Sequence, residues 1–427
     1  MRATIFYALR RAATARFQQD RLLHHADFRR FWGSTILTSF GSQITQLALP
    51  LCAVLLLHAS PGEMGVLVAL ENLPFFLLCL PVGVLLDRAR RLPVMMASDI
   101  MLATALASVP IAWWLGILSM HWLYAVGFIM GTGAVIGGSA EQIFLTFLVG
   151  RDGLVQARAK FGTTDSASRL LGPGLAGVLV QLLGAPFAVL FNVSAFIVSL
   201  WNLTHIRAKE PAPQFDDVHP LRAIIDGLRF IWQHPLLRML AWTAGTWNLL
   251  FGAYVASQVL FATRVLGMTP GMLGTAQMLG GIGMLAGSLA MTRLSKRYGS
   301  GATILIGLCC TVVAFALVPC IPPMLFGSHA ATVFAYGTVV FFLDLGALLF
   351  FMPYISLRQR VTPDAMLGRM TSTMRFLTVA TSPLGALLAG AIGEHFGVRA
   401  ALGGVAAGGV LLAAAMVFGT QLRHVKD

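Results

Sequence analysis

Charge is what this sequence has least of. Only 11% of its 427 residues are Asp, Glu, Lys or Arg, whereas 57% are hydrophobic. An average soluble domain carries about 25% charged residues, which it needs to cover its surface. The composition therefore excludes an ordinary soluble protein and indicates a chain that crosses a membrane many times.

Cysteine and recognisable catalytic motifs are also scarce. The five cysteines lie in or at the ends of apolar stretches without a CxxC pair, and the ten histidines are scattered singly. Neither a disulfide framework nor a metal site is expected. No GxxxxGK[ST] loop is present, which argues against direct ATP coupling. No nucleophile, base and carboxylate occur at a recognisable spacing. We expect neither an enzyme nor a cofactor.

Acidic residues are fewer than basic ones, 17 against 30, and the formal net charge is +13. Such an excess can indicate nucleic-acid binding. Here, however, the basic residues lie in short loops between segments long enough to cross the hydrocarbon of a bilayer. We therefore expect anionic lipid headgroups as the counter-charge and no nucleic-acid partner.

Lys and Arg are almost absent from six long stretches, which contain only Arg264 and Arg399. Each stretch is long enough for two helices of about 20 residues. The other 28 Lys and Arg residues then fall on one side of the membrane, and cationic loops stay cytoplasmic. The pattern predicts an all-α protein with cytoplasmic termini and twelve transmembrane helices at 31–57, 62–86, 92–115, 121–149, 162–184, 186–206, 236–263, 270–292, 300–321, 329–357, 367–392 and 397–420.

The longest basic loop divides the chain into two halves. We predict a basic cytoplasmic helix, two six-helix bundles, a linker between them and a short tail, at 1–30, 31–206, 236–420, 207–235 and 421–427. The linker contains apolar residues at helical spacing, namely Leu221, Ile224, Ile225, Leu228 and Ile231. This spacing is typical of a helix on the membrane surface; a site for a regulatory partner is the alternative.

The two halves look like a sequence repeat. Pro173 and Pro383 lie 210 residues apart, each inside a run of small residues. Two similar six-helix bundles are typical of secondary transporters that hold their substrate between the halves, near the midplane. We expect a monomer in the cytoplasmic (inner) membrane of a bacterium.

The loop after the second predicted span carries a short motif of Gly83, Asp87, Arg88, Arg90 and Arg91. It resembles motif A of the major facilitator superfamily. A glycine there allows helices to pack closely, and an Asp at a helix end can face the positive N-terminus of another helix. The resemblance implies that Asp87 latches the halves together by capping span eleven near 368–371.

A larger part of the chain, about 26–420, resembles the macrolide-efflux and enterobactin-exporter branch of that superfamily. The matching segments include 28–32, 43–50, 71–75, 356–363 and 383–387. The resemblance implies a proton-coupled exporter, with amphiphilic small molecules and protons as its partners. Two alternatives stay open: an uptake transporter or lysophospholipid flippase of the same fold, and a transporter-like sensor or anchor protein.

Span five matches the antiporter motif C only in part, through Gly172, Pro173 and Gly177. Glycine and proline permit a kink and close helix packing. Close packing of spans five and eight is one interpretation. A further role in blocking proton leak is what the resemblance implies.

Acidic residues inside the predicted spans are candidates for proton coupling, because a charge in the hydrocarbon is costly. Asp344 lies near the middle of span ten, Glu71 in span two and Glu141 in span four. Hydrogen bonds to neighbouring helices are the structural alternative. Neither Lys nor Arg is expected beside these three acids. Asp99 is expected to pair with a basic loop, and Asp165 with Arg169 one turn away.

Spans one, four, seven and ten line the cavity in proteins of this superfamily. The resemblance therefore adds a set of polar residues to the substrate cavity: Gln43, Gln46, Gln142, Asn248, Tyr254 and Gln258. Aromatic residues nearby, such as Trp247 and Phe251, supply an apolar wall suited to amphiphiles.

Overall fold

The computed structural model describes residues 21–208, 210, 220–363 and 366–419, without the side chains of residues 21, 79, 80, 84, 87, 151 and 220–224. Most of the predicted N-terminal helix and all of the predicted tail at 421–427 lie outside the described residues. The described part is almost entirely helical and contains no β-strand, only an isolated bridge between Leu325 and Ser328.

Fifteen α-helices follow one another along the described chain. They are α1 Arg21–His24, α2 Ala26–Leu56, α3 Pro61–Arg88, α4 Arg91–Trp114, α5 Met120–Gly150, α6 Asp152–Leu183, α7 Ala185–Thr204, α8 Pro220–Gln233, α9 Pro235–Leu260, α10 Pro270–Tyr298, α11 Ser300–Leu317, α12 His329–Arg360, α13 Leu367–Val379, α14 Thr381–Phe396 and α15 Val398–Gly419. A π-helical turn, Phe261–Val265, continues α9, and a 3₁₀ turn, Val318–Cys320, continues α11.

The helix boundaries follow local chemistry. At the start of α3, Ser60 and Glu63 form a capping box, and Pro61 occupies the first turn, where its missing N–H costs nothing. Glycines with positive φ end other helices, for example Gly299 at 86°, because glycine has no Cβ to clash in that conformation. Gly150, at φ 67°, divides α5 from α6.

Eleven helices in the described residues, with α13 and α14 counted as one, are long and apolar enough to cross a membrane. The remaining long helix, α9, has 26 residues and packs against α14 and α15. The protein is thus a multi-pass membrane protein. The predicted spans all coincide with helices; the largest shift is in span five, where α6 begins ten residues early at Asp152.

The helices form two halves, α2–α7 and α9–α15. Because consecutive helices alternate in direction, the basic clusters at Arg88, Arg297 and Arg360 lie at the same end of the bundle. We call it the basic end and the other the opposite end. Two helix pairs make the closest contacts between the halves, α3 with α14 and α6 with α10. We call them the α3/α14 seam and the α6/α10 seam.

The seams correct the predicted repeat. A Cβ on Gly274 would strike the carbonyl oxygen of Pro173, and a Cβ on Gly65 would lie 2.6 Å from the carbonyl oxygen of Ala386. Pro173 therefore corresponds to Ala386 in the seams. The predicted match to Pro383 was wrong by three residues, about one helical turn.

The predicted linker helix is α8. Ile231 is buried, whereas Ile225 is 63% exposed, so the apolar residues do not all face the bundle. Gly227 packs on Thr373. Asp226 accepts a hydrogen bond from Arg369 Nη1 at 3.1 Å, which ties α8 to α13. The side chains of Leu221 and Ile224 lie outside the described part.

Candidate functional site

The two halves are held together at the opposite end by two side chains that cap helix starts across the seams. The Gly62 N–H, in the first turn of α3, donates to Glu394 Oε2 at the end of α14 over 3.0 Å. The Gly271 N–H, in the first turn of α10, donates to Gln181 Oε1 at the end of α6 over 3.1 Å. Each bond satisfies one of the amide groups that a helix start leaves unpaired.

At the basic end the halves stand apart around a cavity of about 620 Å³. The cavity is lined by residues of both halves, among them Phe75, Val135, Ser139, Gln359, Ser372, Arg375 and Phe376. A Cβ on Gly83 or on Gly368 would meet no atom within 4 Å.

The close packing predicted at Gly83 is therefore wrong for this conformation, since the halves do not meet there. The Asp87 side chain lies outside the described residues. The Arg88 and Arg90 side chains are exposed, whereas that of Arg91 is only 18% exposed.

Glu71 lies beside this cavity, near a basic residue of the other half. It lines a space of about 280 Å³ together with Asn72, Gln142 and Arg375. The Arg375 guanidinium stacks over the Phe75 ring, 4.6 Å from its centroid. On this side of the site, an acid and an amide of the first half therefore line the same space as a cation of the second half.

Glu141 lies in a second space, of about 320 Å³, within the first half. Thr35 Oγ1 donates to Glu141 Oε1 over 2.9 Å. Asp99 faces the same space and accepts a 2.6 Å hydrogen bond from Ser199 Oγ. The predicted pairing of Asp99 with a basic loop is wrong, because Asp99 points inward to α7 instead.

Asp344 lies across the α6/α10 seam from Arg169. Both line a space of about 170 Å³, and Gly280 of α10 leaves room for the Asp344 carboxylate, which a Cβ there would strike. Arg169 forms the predicted ion pair with Asp165, with Nε 3.0 Å from Oδ2. Arg169 also lines the space that holds Glu141.

The expectation that no basic residue lies beside the acids is thus wrong: Arg169 shares a space with Asp344 and another with Glu141, and Arg375 shares one with Glu71. Arg169 and Arg375 lie inside predicted spans five and eleven but were counted with the basic residues of the cytoplasmic side. The structure puts them on helices that face the inter-half spaces.

Most of the predicted cavity residues line one of these spaces. Gln43 lies between the Glu141 and Asp344 spaces, Gln46 lines the first, and Gln258 the second. Tyr254 also lines the second, with its hydroxyl oxygen 3.3 Å from that of Tyr336. Asn248 lines none of these spaces, because its amide donates to Ala244 O of its own helix at 2.8 Å.

Pro173 and Gly177 of the span-five motif lie in the α6/α10 seam, whereas Gly172 faces α2. A Cβ on Gly177 would lie 2.6 Å from the carbonyl oxygen of Pro270, and Gly172 packs against the side chain of Gln43. Glycine permits this backbone approach between helices in a membrane.

Glu210 was missed by the sequence analysis. Its carboxylate accepts hydrogen bonds from the N–H groups of Arg91 and Leu92, at 2.7 and 2.6 Å. It thereby caps α4 and lies 4.0 Å from the Arg91 guanidinium. A lone Glu before a proline-rich segment carries no sequence signal for a partner more than 100 residues away.

Two helical halves around an inter-half cavity are typical of secondary transporters. The matching family model and the relatives identify this protein as an efflux transporter of the major facilitator superfamily and not an enzyme. The model of the family described as "Transmembrane secretion effector" matches residues 21–427. The chain belongs to that family.

Two relatives of known role align along nearly the whole chain. The multidrug efflux pump Tap of Mycolicibacterium fortuitum is 27% identical over 398 residues, 90% of this chain and 93% of Tap. The enterobactin exporter EntS of Escherichia coli strain K12 is 24% identical over 407 residues, 94% of each chain.

Solved structures share the fold at lower identity. The nucleoside transporter NupG superposes with a TM-score of 0.73 at 12% identity, over 92% of this chain and 98% of NupG. A bacterial homologue of ferroportin gives 0.67 in its inward-facing state, over 90% of this chain and 99% of its own. The outward-facing state gives 0.59, over 92% and 98%. Their identities are 16% and 17%.

Proposed function

We propose that this protein exports amphiphilic small molecules in exchange for protons by alternating access. It does so with twelve transmembrane helices and cytoplasmic termini in a bacterial inner membrane. The observation that carries the proposal is the asymmetry of the two ends. The halves are capped together at the opposite end, by Glu394 and Gln181, and stand apart at the basic end.

The observed state is then the inward-facing one, ready to take substrate from the cytoplasm. Cationic loops mark the cytoplasmic side, and the large cavity opens at that end. The higher TM-score to the inward-facing ferroportin homologue agrees with this assignment. In the outward-facing state, Asp87 closes the basic end against the start of α13.

Coupling to protons rests on Asp344 and Arg169. Arg169 belongs to the first half and bonds to Asp165, while Asp344 belongs to the second half and faces the same space. When Asp344 loses its proton, its carboxylate attracts Arg169 across the seam, which favours one arrangement of the halves. Glu141 and Glu71 are the other acids that can carry the proton.

The substrate occupies the space of about 620 Å³ beside Arg375, Phe75 and Phe376. This volume lies within the range of small-molecule sites. Its aromatic rings and single cation suit a molecule with a flat apolar part and an acceptor or anionic group. Drugs and siderophores, the substrate classes in the names of Tap and EntS, are therefore the compounds to test first.

The decisive measurement is transport in inverted membrane vesicles, where export becomes uptake into the lumen. We expect a fluorescent amphiphile to accumulate when the lumen is made acidic, and accumulation to stop when a protonophore collapses the gradient. Vesicles from cells carrying the empty vector are the control. Accumulation that does not depend on the proton gradient would refute proton antiport.

A lysophospholipid flippase of the same fold is the second candidate, favoured by the opening of the cavity between two halves in a bilayer. The same vesicles test it with a fluorescent lysolipid in place of the drug. If the lysolipid moves and no drug or siderophore does, the export proposal is wrong.

A further inference from the structure

A second, separate groove lies on the outside of the bundle at the basic end, where α8, α9 and the α13–α14 junction meet. Its volume is about 210 Å³, and its walls are almost wholly apolar. Trp232 of α8 and Trp242 of α9 flank it and are 58% and 66% exposed. No side chain of the described residues covers these rings, so lipid contacts them in a membrane.

The groove has the length and direction of a lipid tail. It runs along α9 from Arg238, in the first turn, to Leu249. Eleven residues of helix correspond to about 16 Å along the membrane normal. The inner end of the groove therefore lies deep in the hydrocarbon, while its mouth lies at the level of the headgroups.

The mouth of the groove carries a cation. Arg238 lines it and is exposed. Within the described part of the chain, neither an ion pair nor a side-chain hydrogen bond involves Arg238. A guanidinium binds phosphate oxygens in a forked geometry, and tryptophan prefers the interface at this depth.

We propose that this groove binds one anionic glycerophospholipid, with an acyl chain between Trp242 and Leu377 and the phosphate at Arg238. Charge complementarity selects an anionic headgroup over a zwitterionic one. The site is distinct from the central cavity, because α13 separates the two spaces.

The position of the groove gives the lipid a mechanical role. α13 carries Arg375 and Phe376 towards the central cavity and Leu377 towards the groove. At the junction with α14, Thr381 Oγ1 donates to Gly245 O of α9 over 2.7 Å. A lipid in the groove therefore supports the same helix that lines the substrate cavity.

The test uses the full chain in phosphatidylcholine nanodiscs with a fixed fraction of lipid brominated on the acyl chain. Bromine quenches tryptophan fluorescence on contact. The Trp242 contribution is the quenching lost in Trp242→Phe. We expect brominated phosphatidylglycerol to quench Trp242 with about a five-fold preference over brominated phosphatidylcholine, as one basic residue near an anionic lipid gives.

Arg238→Gln is expected to abolish this preference and Arg238→Lys to keep most of it, because the charge remains. The matched control is Trp114, which is 77% exposed at the opposite end of the other half. Its quenching, obtained from Trp114→Phe, is expected to be the same with both lipids.

Equal quenching of Trp242 by both lipids, or a preference that survives Arg238→Gln, would overturn the proposal. So would a Trp242 that no brominated lipid quenches while Trp114 is quenched, since another group would then fill the groove. The fluorescence readout needs no substrate, so its result is independent of the proposed export.

Discussion

The two seams that join the halves have the same construction and differ in one chemical group. One helix of each pair begins with a hydroxyl residue, proline and glycine, Ser60–Gly62 in α3 and Thr269–Gly271 in α10. Each receives a cap from the other half. The cap is the carboxylate of Glu394 in one seam and the amide of Gln181 in the other. The two seams thus share their backbone geometry, but only the α3/α14 seam has a charged cap.

The difference continues towards the centre of the molecule. The α3/α14 seam leads to Glu71 and Arg375, and the α6/α10 seam to Asp344 and Arg169. The acid belongs to the first half on one side and to the second half on the other. The Arg375 side opens onto the large aromatic cavity, whereas the space on the Arg169 side is smaller. We therefore assign the substrate to the first side and proton coupling to the second.

The largest effect is expected from Asp344→Asn. An asparagine cannot carry a proton, so proton-driven accumulation in inverted vesicles should fall on the order of tenfold, the size of typical coupling energies between sites. Glu71→Gln, on the substrate side, should change the apparent affinity for substrate more than the dependence on the gradient.

Exchange of labelled for unlabelled substrate without a gradient is the control for folding and should persist in Asp344→Asn. If Asp344→Asn keeps full gradient-driven accumulation while Glu71→Gln loses it, the assignment of the two sides is reversed.

The next largest effect concerns the glycine contacts of the seams. Valine at Gly274 or at Gly65 would drive a side chain into the carbonyl group opposite, Pro173 or Ala386. Both variants should shift most molecules to a state with the opposite end open. The measurement is the distance between spin labels at the exposed positions 114 and 396, one in each half, in a background without native cysteines.

Gly403→Val is the matched control, because a Cβ there meets no atom within 4 Å. Its label distances should equal those of the unsubstituted protein. If Gly274→Val opens the end and Gly65→Val does not, the seams are not equivalent and only one of them is a gate.

A smaller effect is expected from the caps. Gln181→Ala removes one neutral hydrogen bond and should change the ratio of the two states by about five-fold, as the loss of about 1 kcal/mol does. Glu394→Ala should shift the ratio in the same direction and further, because a carboxylate also interacts with the positive end of α3.

Glu394→Gln tests the single chemical difference between the seams. In the spin-label experiment, the caps of the two seams should then contribute alike to the ratio of the two states. A Glu394→Gln protein that behaves like Glu394→Ala would show that the charge, and not the hydrogen bond, holds this seam.

The smallest effect on the observed state is expected from Asp87→Asn. At the basic end, the two halves are already apart around Gly83 and Gly368. This change should therefore leave the inward-facing label distances unaltered. It should reduce only the outward-facing population that a substrate or an imposed gradient produces. Loss of the inward-facing state instead would contradict the proposed latch.

The helices were predictable because apolar length and basic clusters are local signals. Pro61, Pro270 and Gly299 mark the starts of α3, α10 and α11, which lie within one residue of the predicted starts. The start of α6 was missed because Arg158 and Lys160, which read as a loop, lie on a helix that extends beyond its apolar part.

The site was less predictable, because its partners come from distant parts of the chain. Asp344 and Glu71 stand out in sequence as acids among apolar residues, but Arg169 and Arg375 look like members of the basic clusters at the ends of their spans. Glu394 and Gln181 lie at helix ends where polar residues are ordinary. Only an alignment of the two halves through Pro61 and Pro270 would have singled out the caps.

The glycine contacts also affect the free-energy balance between the two states of the proposed cycle. Where Gly65, Gly177, Gly274 and Gly390 meet, the surfaces are backbone against backbone. Glycine has no rotamers to freeze, so closing the opposite end costs no side-chain entropy at these positions. At these four positions, opening leaves no large apolar side chain without its neighbours. In the proposed cycle, the two states can therefore lie close in free energy, so that one proton or one substrate molecule would shift the balance between them.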